Sequence, residues 1–454
     1  MMMLTYPTGA SASTPRLGTR ALGNAADKLI LYLILAQIFI LEFLGFGRYT
    51  NWVLLALILV RLALSGWRLF DVPTVPLLTF LTVILLLGWA LGGLPSISQS
   101  NALMVVYPAM YSLYLYLLCV NRRGYLESFV AHVTPLLNVA LIVNLAAMVE
   151  QLNSPGSIVA YHAASQEIPF YEDTVSGFFA YASTHTVALY TTLVLLMNIA
   201  AVRRRKTRGL SVTPLRIYNV ALVIASFGVA SLNDNKALFV VLPMVLLVLL
   251  FGDMATGRLR PSAALVGALL AAILLVLAYA LVPAFQIFVT DQYSSLFEMA
   301  ASSRDIGSSA NGSNERIAIL AYALGMQSTW GVGLGIGASG LYAAGFLGFH
   351  HFGQADMGSF LVLFGIWFVM AYLWLFVRES SAPLCDGGPR RRTVLYLLLA
   401  CITLMAMIYT QPFSNVDECV CLFLTCFGLS CMWAESARTA STKDGRGSSN
   451  IEQI

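Results

Sequence analysis

Apolar runs of about twenty residues, the length at which a helix rising 1.5 Å per residue crosses a hydrocarbon core, recur through most of the chain. They predict membrane helices near 28–46, 51–68, 74–93, 102–120, 129–150 and 177–201, then 217–231, 236–252, 262–284, 357–377, 393–411 and 417–434. The total is twelve, with 217–231 the shortest and the least sharply bounded. Between them fall short polar connections and two long ones, 151–176 and 285–356. The pattern predicts an all-α polytopic membrane protein. Residues 1–27 read as a cytoplasmic tail, 28–436 as one transmembrane bundle and 437–454 as a second cytoplasmic tail.

The larger loop carries a helical pattern of its own. After the polar stretch SSRDIGSSANGSNE, the segment ERIAILAYALGMQSTW brings Ile317, Leu320, Ala321 and Leu324 onto one helical face, with Asn314 as a candidate cap and Trp330 at the far end. It reads as an amphipathic helix on the membrane face. No repeat of 20–50 residues is visible, and the two halves of the chain differ.

Composition sharpens this picture. Hydrophobic residues make up 58% of the 454 and charged residues 11%, less than half the charged fraction of an ordinary water-soluble domain. A soluble fold is excluded. The seven cysteines fall mostly in the last two apolar segments, and Cys419-x-Cys421 lacks the second pair a zinc site needs. Neither a disulfide framework nor a metal site is expected.

Lysine and arginine orient the bundle, because short cytoplasmic loops retain positive charge. With the N-terminus inside, Arg68, Arg122, Arg123, the cluster Arg203 to Arg208, Arg258, Arg260 and Arg390 to Arg392 are all cytoplasmic. The opposite face keeps only Arg48, Lys236, Arg304 and Arg316, and both long loops lie there. The even helix count returns the C-terminus to the cytoplasm. The net charge of +4 thus reports topology rather than an acidic partner, and no nucleic acid is expected.

Ionisable groups in or beside a membrane are costly, which makes the few present candidates for function. Arg61 lies within WVLLALILVRLALSGW; it either pairs with a carboxylate such as Glu42 or Glu150 or lines a polar cavity. Arg316, Arg304 and Lys236 stand on a face otherwise poor in cations. Guanidinium forks suit phosphate oxygens, and lysine serves as a point charge. His350, His351 and Asp356, in FLGFHHFGQADMGSFLVLFG, are placed to take a proton from a hydroxyl as a general base. Gly335 to Gly340 spells G-x-G-x-x-G, but no strand precedes it, so the glycines from Gly331 onward read as backbone able to approach a neighbour closely.

The second long loop and the helix after it resemble the O-antigen polymerase and ligase superfamily. The matching pieces are Ser313-Asn-Glu-Arg316, Gly331-Val-Gly333-Leu-Gly335, His350-His351, Asp356-Met-Gly358 and Gly365-Ile366, with weaker matches at Gly177-Phe178-Phe179 and Asn235-Lys236-Ala-Leu. The resemblance spans about 170–380, with lysine at 236 where the family has arginine. It implies a glycosyl transfer on the periplasmic face of a bacterial inner membrane, without metal or other cofactor. The donor would be an undecaprenyl-pyrophosphate-linked glycan and the acceptor an incoming lipid-linked repeat unit. Arg316, Lys236, Arg304 and Arg61 are then expected to serve the pyrophosphate, and His350, His351 or Asp356 the acceptor. Membrane lipids and a chain-length regulator are the candidate partners. The rivals are a ligase that passes glycan to a lipid A core and a twelve-helix secondary transporter.

Overall fold

The computed structural model describes residues 17–65, 99–122, 124–165, 174–180, 183–233, 235–255, 356–383 and 389–448, with scattered positions in 67–90, 259–290 and 320–333. The described chain is helical throughout. Helix α1 (Leu17–Ala36) runs on into a π-helical turn, Gln37–Leu41. It is followed by α2 (Gly47–Ser65), α3 (Gln99–Asn121), α4 (Tyr125–Asn153), the short α5 (Tyr161–Ser165), α6 (Thr184–Thr207), α7 (Thr213–Leu232), α8 (Lys236–Ala255), α9 (Asp356–Ser380), α10 (Pro389–Tyr409) and α11 (Val416–Ser448).

Nine helices among the described residues are long and apolar enough to cross a membrane, and the protein is a multi-pass membrane protein. They match nine of the twelve expected segments. The segment at 102–120 corresponds to the 23-residue helix α3; those at 74–93 and 262–284 lie largely outside the described residues. The segment expected at 217–231 is fully twenty residues long, because Pro214 opens α7 at its first turn, where a missing N–H costs nothing. Helix α1 starts at Leu17 rather than near 28, and α11 continues to Ser448, so both tails are shorter than the apolar pattern implied. Of the amphipathic helix expected in the large loop, only Leu320 and 323–325 fall among the described residues, and they are helical.

Burial ranks the helices. In α11, 94% of the membrane-length window is buried, in α6 and α9 72%, and in α2 and α7 22%. The first three form the centre and the others surround it, with Leu59, Val60 and Leu64 of α2 exposed as lipid-facing residues. Lipid is as apolar as leucine, so contact in the centre depends on close packing of small residues. Gly428 of α11 faces Met197 and Leu196 of α6, and Gly252 of α8 lies against the Trp433 indole; a Cβ at either glycine would strike these side chains. The same contacts fix direction. Helices α6, α8 and α11 run parallel, with Arg204 and Glu435 lining one cavity beside Glu127 at their C-terminal end.

That end collects the cations. Arg61 donates to Asp27 through Nε (2.7 Å) and Nη2 (2.9 Å), Arg122 donates to the same carboxylate at 2.5 Å, and the Tyr114 hydroxyl adds a fourth bond at 2.9 Å. Asp27 is fully buried and joins α1, α2 and the end of α3. Arg203 bonds Asp253 at 2.7 Å. Arg61 is therefore paired with neither Glu42 nor Glu150. It belongs to an Arg–Asp–Arg cluster beside the start of α4, at the opposite end of the bundle from the starts of α6, α8 and α11.

Candidate functional site

At the other end, the expected helix start at 177 is replaced by a turn. Gly177 has φ +68°, a conformation that favours glycine, and a Cβ there would collide with Asn144. The turn is held by amide side chains from α4 and from the connection between α7 and α8. Gly177 N–H donates to Gln151 Oε1 (2.8 Å) and Phe178 N–H to Asn144 Oδ1 (2.7 Å). Asn233 Nδ2 donates to the Val175 carbonyl (2.9 Å), and Asn235 Nδ2 to that of Thr184 (2.8 Å). Buried backbone outside a helix needs such partners. The turn therefore fixes the start of α6 against the start of α8, whose first residue is Lys236. The Oδ1 atoms of Asn233 and Asn235 are buried and have no hydrogen-bond partner.

A second junction lies within α9. Gly365 adopts φ +83° and ψ 170° and interrupts the helix. How far the chain turns is shown by Phe413, whose N–H donates to the Asp356 carboxylate and whose ring lies 5.2 Å from that of Phe376. In a straight helix, Asp356 and Phe376 would be about 30 Å apart, too far for one residue to touch both. Phe360 also stacks with Tyr372 at 6.4 Å and 12°. The two halves of α9 fold toward each other, so its 25 residues do not form one straight crossing.

Into this break comes the large loop. Gly331, with φ +68°, and Gly333 lie against Gly365. A Cβ on Gly365 would strike the backbone of residues 331–333, and one on Gly333 would strike that of Leu363 and Phe364. The glycines expected to allow close approach make it at a broken helix within the bundle.

Asp356 is 1% exposed. Its carboxylate accepts from Phe413 N–H and from the Ser414 hydroxyl (2.5 Å), while its own N–H donates to the Thr410 carbonyl (3.1 Å). Both oxygens are engaged in holding the connection between α10 and α11. Glu418 does similar work, accepting from Gln411 N–H at 2.5 Å. Asp356 thereby ties the start of α9 to this connection.

Of the other expected site residues, Lys236 opens α8 at the same end as Asp356, whereas Arg304, Arg316, His350 and His351 lie outside the described residues. Arg61 stands at the far end with Asp27, the buried carboxylate that supplies the counter-charge for both Arg61 and Arg122; it does not join Lys236. Asn144 and Gln151, polar residues one heptad apart in an apolar segment, went unnoticed in sequence although that spacing puts them on one helix face. Compared with known protein families and with curated proteins, the chain matches no family model and no curated sequence.

Proposed function

We propose that this protein is a polysaccharide polymerase of the bacterial cytoplasmic membrane. On the periplasmic face it transfers a growing glycan from undecaprenyl pyrophosphate to an incoming lipid-linked repeat unit, with both chain termini in the cytoplasm. The observation that carries this reading is the meeting of motif pieces distant in sequence. Gly331 to Gly333 rest on Gly365, and the turn at Gly177 is tied to Asn233 and Asn235, next to Lys236. In this reading, Arg316, Arg304 and Lys236 stabilise charge on the departing pyrophosphate, and His350 and His351 face the acceptor. The segregation of Arg61, Arg122, Arg203 and Arg204 to the opposite end supports the assigned orientation.

One observation favours a different class. Interrupted helices are a feature of secondary transporters, where broken ends face the substrate, and α9 is interrupted at Gly365. The described neighbours of that break are glycine backbone, Ile366, Trp367 and a cluster of phenylalanines, without the charged groups a transported ion would need.

The deciding experiment is the polysaccharide profile of a strain lacking the protein, complemented with wild type or Arg316→Ala at matched expression. A polymerase leaves single repeat units in the deletion, a ladder with wild type and none with Arg316→Ala. Long chains retained on the lipid carrier would assign the protein as a ligase, and an unchanged profile would leave the transporter.

A further inference from the structure

A polar cluster separate from the motif pieces lies where α1, α2, α3 and α11 meet at the outer end. At its centre is Asp417, 6% exposed, whose Oδ1 is buried and has no hydrogen-bond partner. Glu42 and Glu418 lie within electrostatic reach of it. Tyr111 lies within reach of both Asp417 and Tyr107, and its hydroxyl donates to Asn51 Oδ1 at 3.0 Å. The Tyr107 hydroxyl is also buried without a partner, with Trp52 edge-on to its ring at 5.9 Å. The exposed Arg48 lies within electrostatic reach of Tyr107. The π-helical turn Gln37–Leu41 directly precedes Glu42, whose carboxylate accepts from Gln37 Nε2 at 2.8 Å; such turns are frequent at functional sites.

A buried carboxylate oxygen without a donor loses several kcal/mol of solvation, so the site calls for a ligand that brings donors. Among the described residues, no three His, Cys, Asp or Glu side chains are grouped so as to hold a metal ion. Carboxylate, amide and phenol groups beside aromatic edges instead suit a ligand with hydroxyl groups on an apolar ring face, which is the chemistry of a saccharide.

We infer that this cluster is the acceptor-sugar subsite and that Asp417 is the general base. The inference rests on the polymerase reading and adds the acceptor side to it. The acceptor hydroxyl donates to Asp417 Oδ1, and Tyr107 fixes the sugar by a second hydrogen bond. As the hydroxyl oxygen bonds to the anomeric carbon of the donor glycan, its proton passes to the Asp417 carboxylate. The bond from that carbon to the pyrophosphate oxygen breaks, and its electron pair leaves with undecaprenyl pyrophosphate. Asp356, with both oxygens occupied, shapes the turn that carries Asp417.

The test uses purified full-length protein, lipid-linked glycan chains as donor and lipid-linked single repeat units as acceptor, with elongation followed on gels across pH. Asp417→Asn is expected to lower kcat about 100-fold or more, as loss of a general base does, with donor KM unchanged. Asp417→Glu should recover part of the rate, with its acidic pH limb displaced. Tyr107→Phe should raise acceptor KM several-fold at nearly unchanged kcat. A folded Asp417→Asn with wild-type kcat and pH profile overturns the inference while leaving the polymerase standing. If that variant does not fold, an unchanged acceptor KM in Tyr107→Phe overturns it instead. Wild-type protein that fails to elongate at all removes the polymerase reading, and this inference with it.

Discussion

At the scale of single residues, membrane burial makes each polar group depend on a partner. Asp27 receives four hydrogen bonds from Arg61, Arg122 and Tyr114, and the Trp67 ring covers the Arg61 guanidinium at 4.4 Å. Asp27→Ala would leave two arginines facing each other without a counter-charge. Losing one partner of a buried pair costs about 3–5 kcal/mol, and thermal unfolding in detergent is expected to fall accordingly. Arg61→Ala alone should cost less, since Arg122 still neutralises Asp27. Equal losses from the two variants would show that the cluster is not built around the carboxylate. The Gly177 turn offers a second residue-scale prediction. Gln151→Ala removes the acceptor for a buried backbone N–H, a loss of about 1–3 kcal/mol, and hydrogen exchange at Gly177 should accelerate while α11 remains protected.

At the scale of elements, the fold depends on where helices stop. The apolar pattern located α2, α4, α8 and α10 to within a few residues, because membrane-length apolar runs leave the backbone no alternative to a helix. It failed where a glycine broke the rule. Helix α6 begins seven residues after the apolar run does, because Gly177 turns there, and α9 is bent at Gly365 although FLVLFGIWFVM is as apolar as any other span. Positive φ leaves no mark on hydrophobicity. Gly365→Ala is expected to be the most disruptive single change in α9. It adds about 1–3 kcal/mol of backbone strain, at a φ/ψ combination essentially open only to glycine, to a collision with the backbone of residues 331–333. Faster proteolysis of the large loop is the expected outcome, together with loss of elongation under the polymerase proposal. A variant that loses neither would mean that the loop does not depend on this junction.

At the scale of the whole molecule, two polar ends are joined by a largely apolar centre. The cationic end includes Arg61, Arg122, Arg203 and Arg204; the other holds the Gly177 turn, Lys236, Asp356 and Asp417. Cysteine labelling tests which face each end occupies. In a background without native cysteines, the exposed loop positions Ser157→Cys and Ser211→Cys should differ in intact cells. The first is expected to react with a membrane-impermeant maleimide and the second only after lysis. The reverse pattern would invert the topology and place the proposed acceptor subsite in the cytoplasm.

What the sequence by itself determined is what depends on composition and local periodicity: insertion in a membrane, the helical class, most of the spans and the sidedness of charge. It also singled out Gly331, Gly333, Gly365 and Asp356 as unusual. Which groups meet was decided only by tertiary structure. Asp27 lay in an expected tail and became the centre of a four-bond cluster because α1, α2 and α3 converge on it. Asp356, singled out in sequence, meets Phe413 N–H and the Ser414 hydroxyl because the start of α9 packs on the α10–α11 connection. Asp417 carried no local signal in VDECVCLF, and its free oxygen became visible only once α1 and α3 were packed beside α11. The physical reason is the same in each case: apolar burial is a sum over residues of one segment, whereas hydrogen-bond satisfaction is a property of pairs that distant segments bring together.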